Sequence, residues 1–389
     1  MNAPLRIAAL LAALPLAALL LAPAGCAKPS ADKSAAATPV SASEDEKPLP
    51  ADEEILRQID EALDYTYEHR RLSVDQQAAW QIIHGALAFK REFLVSDGTK
   101  DVSAVNYVLA GGKMAGWNLR KGDLLDEATM RYGVKALVEE DKKGQGHVDQ
   151  WLGYLSDCHL PLDETIIVEG EKHTVADYID QCKLDVPFNP TKEYSWTLMA
   201  LTAYYPTDYA WKAADGTDWS IAQLVDIELD RDRDTSACGG THRLTGLTMA
   251  FNRHVAAGGK IEGTWKRLAD HIQASIDDAR KYQNSDGSLS SNYLSRPGKS
   301  ADLALCIGSA GHVMEFLATA MDKEQLQQPW VKRAVLDVCK QFRRTKPVDV
   351  ECGALFHAAH GLVLYREKVY GFRTFAKNEV AEAPAPTTK

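Results

Sequence analysis

Twelve helical segments of two kinds alternate along this chain, and that alternation limits its fold more than any other feature. Six are charged along one face: residues 53–70, 124–140, 173–183, 218–231, 263–283 and 330–344. In the fifth, Trp265, Leu268, Ile272, Ile276 and Ala279 recur at steps of three to four, with Lys266, Arg267, Asp270, Asp277 and Arg280 between them. That is the pattern of a helix with one wet face. The other six, 75–89, 144–158, 193–205, 239–254, 308–321 and 353–365, carry little charge on any face, so each must be covered all round. Wet helices alternating with dry ones predict an all-α fold, an (α/α)6 toroid with an inner ring of six helices surrounded by an outer ring. An open solenoid would need polar caps on its terminal helices, which favours the closed ring.

The ends of the chain read differently. Arg6 precedes an apolar run from Ile7 to Ala22, and the small residues Ala24 and Gly25 precede Cys26. A short positive end and a Leu/Ala-rich stretch make an export signal, residues 1–25. The string Leu21-Ala22-Pro23-Ala24-Gly25-Cys26 resembles a bacterial lipobox, which implies lipidation at Cys26, although Pro23 stands where that motif usually has Leu. Residues 26–52, rich in Ala, Ser, Pro and charge, are expected to be a disordered tether, and 376–389 a disordered tail. The toroid domain is then 53–375. No other apolar run approaches the roughly 18 residues that span a bilayer, so the chain meets the membrane through its N-terminal lipid only. The expected location is the bacterial cell envelope, lipid-anchored or periplasmic.

With 44 Lys+Arg against 54 Asp+Glu among 389 residues, the formal net charge is −10. Phosphate backbones require a concentrated basic face, so nucleic acid is not an expected partner. Phosphate-cradling Gly-rich loops, H-E-x-x-H and G-x-S-x-G are all missing from the sequence.

Several dry segments open with glycine, cysteine and histidine: Gln145-Gly146-His147, Cys238-Gly239-Gly240-Thr241-His242, Gly308-Ser309-Ala310-Gly311-His312 and Cys352-Gly353-Ala354-Leu355-Phe356-His357. If the inner helices run parallel, these starts share one rim. The stretch Gln283-Asn284-Ser285-Asp286-Gly287-Ser288-Leu289 resembles the Q-x-x-D-G-S-W element of the terpenoid-cyclase and protein-prenyltransferase α/α toroids, with Leu289 in place of tryptophan. The chain also resembles secreted bacterial toroid proteins built around ACGGTH, QNxDGS and GHxxEFL segments. Both resemblances imply the toroid fold and neither transfers a reaction.

Two constellations at the expected rim carry chemistry. The first is acid–base: His242, His312, Glu193 and Tyr194 as proton-transfer groups. Arg243 and Arg296 would grip an acidic group, and Trp196 and Trp219 would form an aromatic wall suited to sugar rings. The second is an alternative zinc site from Cys238, His242, Cys306 and His312. Prenyltransferases place a zinc at such a mouth with Asp, Cys and His, and Asp234 could join an imitation of that trio. The primary expectation is no cofactor. The run Asp230-Arg231-Asp232-Arg233-Asp234 alternates sign, as a solvated salt-bridged turn does, and not as a buried cyclase acid. Six cysteines follow Cys26, and in an oxidising compartment Cys306–Cys352 or Cys339–Cys352 are the expected bridges.

Three functions compete on these grounds. An exported toroid would bind a glycan or similar polar ligand at its rim and act on it by acid–base chemistry, as a lyase, epimerase or hydrolase. A non-catalytic scaffold lipoprotein would use the rim for protein contact. An isoprenoid cyclase or prenyltransferase would need an apolar cavity with a buried Asp pair or a zinc. The lipobox reading has a direct check: Cys26→Ser should move the protein from the membrane fraction to the soluble fraction. Unchanged membrane retention would refute lipid anchoring at this residue.

Overall fold

The computed structural model describes residues 48–375 apart from 140, 142 and 235. The export signal, Cys26, most of the tether and the tail lie outside the described residues. The N-terminal half interleaves helices with short strands: α1 (Asp52–His69), β1 (Leu72–Ser73), α2 (Ala79–Phe89), β2 (Leu94–Ser96), β3 (Asp101–Ser103), α3 (Ala104–Leu109), β4 (Leu119–Asp126), β5 (Arg131–Ala136), α4 (Gln150–Asp157), β6 (Thr165–Val168), β7 (Glu171–Thr174), α5 (Val175–Asp185) and α6 (Ser195–Tyr204). There follow β8 (Ala210–Lys212), β9 (Asp218–Ser220), α7 (Ile221–Leu229), α8 (Thr241–Ala256), α9 (Thr264–Lys281), α10 (Leu303–Ala320), α11 (Lys323–Leu326), α12 (Pro329–Thr345) and α13 (Cys352–Tyr370).

The fold is helix-rich and not strictly all-α. β1, β2 and β3 form a small sheet, and β4–β5, β6–β7 and β8–β9 are antiparallel hairpins. The expected outer helix at 124–140 is the β4–β5 hairpin, in which Leu119 faces Ala136 and Lys121 faces Val134. Turn chemistry decides against the helix there. Asp126 accepts from the Ala128 amide at 2.9 Å and the Thr129 hydroxyl at 2.8 Å, an Asx-type turn that competes with helix. Met130 takes φ 53°. Gly122, just ahead of the expected helix, and Gly133 within it both lie against Gln181 of α5, with no room for a Cβ.

The other eleven segments do contain helices. The six dry ones are α2, α4, α6, α8, α10 and α13, and each packs on two others in cyclic order: α2 on α4, α4 on α6, α6 on α8, α8 on α10, α10 on α13, and α13 on α2. The charged helices pack on these and on one another, α1 on α12 and α13, α12 on α10, α9 on α7 and α8, and α7 on α6. α10 is long and apolar enough to cross a membrane by length and composition, but 67% of it is buried in the fold, as a core helix would be.

Small residues set how closely the dry helices approach. A Cβ on Gly246 of α8 would lie 2.4 Å from the Ser195 carbonyl oxygen of α6, and one on Gly311 of α10 would lie 2.6 Å from Ala358 of α13. The α10–α13 contact is the most extensive between any two of these helices. Gly311→Ala should therefore lower stability by about 1–3 kcal/mol through overpacking, despite alanine's better helix propensity. Urea unfolding would measure this, and an unchanged or raised midpoint would show that the two backbones have room to spare.

Candidate functional site

Histidines from four of the dry helices, and one just ahead of a fifth, fill the space between them: His84 of α2, His147 before α4, His242 of α8, His312 of α10, and His357 and His360 of α13. Except for the half-buried His147, all are buried. The ring of His242 lies 5.5 Å from that of His147, 5.0 Å from that of His312 and 5.2 Å from that of His357. His312 and His357 stack at 4.0 Å, and His84 meets His357 edge-on at 5.2 Å.

Hydrogen bonds fix which nitrogens carry protons, because a carbonyl or carboxylate oxygen can only accept. Nδ1 of His312 donates to the Gly308 carbonyl at 2.7 Å, and Nδ1 of His84 donates to the Trp80 carbonyl at 2.5 Å. The bare Nε2 of neutral His312 faces Nε2 of His242 at 3.1 Å. The proton in that contact therefore belongs to His242, whose Nδ1 is left bare. That Nδ1 is buried and has no hydrogen-bond partner among the described residues.

Carboxylates hold the remaining imidazoles. Glu315 of α10 is 3% exposed and sits between two of them, accepting from His357 Nδ1 at 2.9 Å and His360 Nδ1 at 2.5 Å. Burial pushes its carboxyl up, but the two imidazoles outweigh that and hold it well below the usual carboxylate range. Lys90, ion-paired with Asp157, reaches His360 Nε2 at 3.4 Å. Glu193 accepts from His147 Nδ1 at 2.8 Å. Burial raises Glu193, and His147 and then Arg243 reverse the sign, leaving it lowered.

A cleft of about 130 Å³ opens onto this cluster, lined by Thr191, Glu193, Ser236, Ala237, Gly240, His242 and Arg243. Of the sequence-derived candidates, Glu193, His242 and Arg243 line it, and His312 sits directly behind His242. Trp196 is buried at 5.3 Å from His242, ring to ring. The others lie elsewhere. Tyr194 is buried, donating its hydroxyl to the Val186 carbonyl at 3.2 Å while its ring packs on Trp219 at 5.9 Å. Trp219 bonds Thr217 and does not line the cleft. Arg296 is exposed in the loop after α9, where its carbonyl accepts from Ser290.

The start of α8 places Cys238 beside the histidines. Cys238, Gly239 and Gly240 take φ of 50°, 62° and 74° in succession. The left-handed conformation costs a non-glycine residue roughly 1 kcal/mol, and such strain collects at functional sites. The Cys238 thiol, His242 and His312 each bring one ligand atom within 4.8 Å of the others. Tetrahedral zinc bonded to nitrogen at about 2.0–2.1 Å sets its ligand nitrogens about 3.3 Å apart, and the His242–His312 separation of 3.1 Å matches. The Gly308 carbonyl on His312 Nδ1 is the outer support such a ligand usually has. These three residues fit a metal ion. Cys306 is not one of them, because its thiol donates to the Ser300 carbonyl at 3.2 Å. No disulfide joins the described cysteines, so the expected Cys306–Cys352 and Cys339–Cys352 bridges are not made.

Sequence reasoning placed His312 at a helix start. α10 begins at Leu303, so His312 lies nearly three turns in, at the level of the cluster. It also passed over His84, Glu315 and His360, and read His147 and His357 only as parts of repeated openings. The available signal was spacing: His312 and Glu315, like His357 and His360, stand three apart on dry helices, and so share a face.

Acid should destabilise this centre. Burial, then nearby His357, lowers both His84 and His312 to about 3. Between pH 6.5 and 3 the unfolded chain binds protons at these positions that the folded chain refuses, so stability falls as pH falls through that window. Each group contributes up to about 1.4 kcal/mol per pH unit. Glu315, whose folded pKa is depressed, adds a loss only below the ordinary carboxylate range. The melting temperature should drop steeply from pH 7 to pH 5, and His84→Gln should flatten the slope. A wild-type profile already flat over that range would mean the imidazoles are not buried as neutral groups. No family model matches this chain and no curated protein is similar to it.

Proposed function

We propose that the protein is an exported (α/α)6 toroid, with α2, α4, α6, α8, α10 and α13 as its inner ring. In this reading it takes a glycan unit or similar polar substrate in the cleft at the start of α8 and moves protons on it. The observation that carries the proposal is the meeting of Glu193, His242 and Arg243 in one cleft, with the His242–His312 pair behind them. Glu193, held ionised by His147, serves as a base. The bare Nδ1 of His242 is a second acceptor, and its Nε2–H···Nε2 contact with His312 gives that imidazole a neighbour with which to exchange a proton. The polar lining supports a hydroxylated ligand over an isoprenoid, which needs apolar walls. The lipobox-like leader supports the same choice, because sugar polymers lie outside the cytoplasm.

A second reading rests on the Cys238, His242 and His312 cluster. Those three would hold a zinc ion, which when bound would supply Lewis-acid chemistry at the floor of the cleft.

One experiment separates these readings. Purified protein is incubated with a panel of neutral and acidic polysaccharides while new reducing ends and new ultraviolet absorbance are followed, and its zinc content is measured by mass spectrometry. Turnover of one polymer is expected, with Glu193→Gln lowering kcat by about 10²–10⁴-fold. Binding without turnover across the panel would leave the scaffold reading standing instead. Near-stoichiometric zinc that is lost in Cys238→Ser would establish the metal reading, and substoichiometric zinc would end it.

A further inference from the structure

The cleft's unspent hydrogen-bonding groups define the ligand more closely than its polarity does. Arg243 has a side chain only 10% exposed, and a guanidinium keeps its charge at any ordinary pH. Its Nε stands 2.8 Å from Glu228 Oε2, an ion pair that lacks hydrogen-bond geometry. Glu228 is also committed elsewhere, accepting from the Tyr194 amide at 2.6 Å and the Ser195 hydroxyl at 3.2 Å. Burial pushes the Glu228 carboxyl up against the pull of Arg243. Nη1 of Arg243 remains buried with no hydrogen-bond partner among the described residues. A buried charged donor left unpaired is costly and marks a place where a ligand completes the structure.

The same cleft presents the opposite valence a residue away. Nδ1 of His242 is a bare acceptor, buried and unpartnered among the described residues. The Glu193 carboxylate, which also lines the cleft, only accepts. The hydroxyls of Thr191 and Ser236 are spent inside their own loops, on Asn189 and the Asp232 carbonyl. The cleft is thus lined by one guanidinium, that of Arg243 beside the positive end of α8, and by two residues with acceptors, Glu193 and His242. The complement of that set is an oxyanion joined to hydroxyl groups.

A bare anion is a poorer fit, because Glu193 would repel it with no hydroxyl to satisfy. A neutral sugar can place a hydroxyl oxygen on the guanidinium but brings it no negative charge, and the hydrogen bond is correspondingly weaker. A volume of about 130 Å³ holds several waters, and so has room for an acid group and its adjacent hydroxyls. We infer that the cleft binds the acidic end of a sugar acid, with its carboxylate or phosphate oxygens on Arg243 and its hydroxyls donating to Glu193 and His242. This rests on the polar-substrate reading above and names the class of substrate within it.

Calorimetric titration of the full chain with glucuronate, glucose 6-phosphate, glucose and inorganic phosphate tests the inference. Expected is binding of glucuronate or glucose 6-phosphate at least tenfold tighter than glucose, the tighter of the two acids identifying the source of the oxyanion. Arg243→Gln should erase that preference, and Arg243→Lys, which keeps the charge without the planar fork, should retain part of it. Retained melting temperature separates lost recognition from lost folding, and Arg243→Lys remains informative if Arg243→Gln does not fold. Equal binding of glucose and glucuronate would overturn the inference while leaving a polar-substrate site intact. So would phosphate binding with no sugar acid bound, no binding by any probe, or an acid preference that survives in Arg243→Gln.

Discussion

The close packing of α10 on α13 is the constraint on which the rest of this molecule depends. Gly311 against Ala358, and Gly361 against the Glu315 backbone, where a Cβ would lie 2.8 Å from its nitrogen, let the two helices come near enough for one carboxylate to reach two imidazoles. A buried carboxylate is tolerated only when its charge is answered by hydrogen bonds, and Glu315 obtains both from α13. Larger residues at those positions would separate the helices and leave Glu315 buried without partners. The glycines and the buried charge are therefore one device.

From that contact a polar path runs through five of the six dry helices. It begins at the first turn of α8 with His242, passes His312 and the stacked His357, and crosses Glu315 to His360. It ends at Lys90 and Asp157, at the C-terminal ends of α2 and α4. A sealed apolar core of the same volume would be more stable. Desolvation lowers His84, His242, His312 and His360 alike, and each refused proton is a liability in acid. The chain carries that liability among buried residues that are mostly apolar.

Much of this plan can be read from the sequence because hydrophobic period survives burial. Dry segments such as 193–205 and 308–321 carry no wet face, and they turn out to be α6 and α10, covered by neighbours. The hairpin at β4–β5 was hidden because its charged residues also fit a helical wheel, and only the Asp126 turn and paired glycines distinguish the two. Glu193, His242 and Arg243 could be named since they stand at or near helix starts rich in polar residues. Glu315 could not be named on that basis. It lies mid-helix in GHxxEFL, and its role depends on two histidines more than forty residues away that are brought to it by helix packing alone.

The strained entry to α8 shows why the cleft opens where it does. Three successive left-handed residues turn the chain sharply before Thr241, whose hydroxyl and amide both return to the Cys238 carbonyl. The turn sets the thiol beside His242 and His312, and the cleft lies at the first turn of α8, where His242 and Arg243 line it. Gly239 packs on the Tyr293 ring and Gly240 on Arg233, and Arg233 in turn is pinned by Asp278 at 3.0 Å and the Leu294 carbonyl at 3.0 Å. The alternating acid–base run at 230–234 thus has a structural purpose: one of its arginines braces the turn that exposes the site.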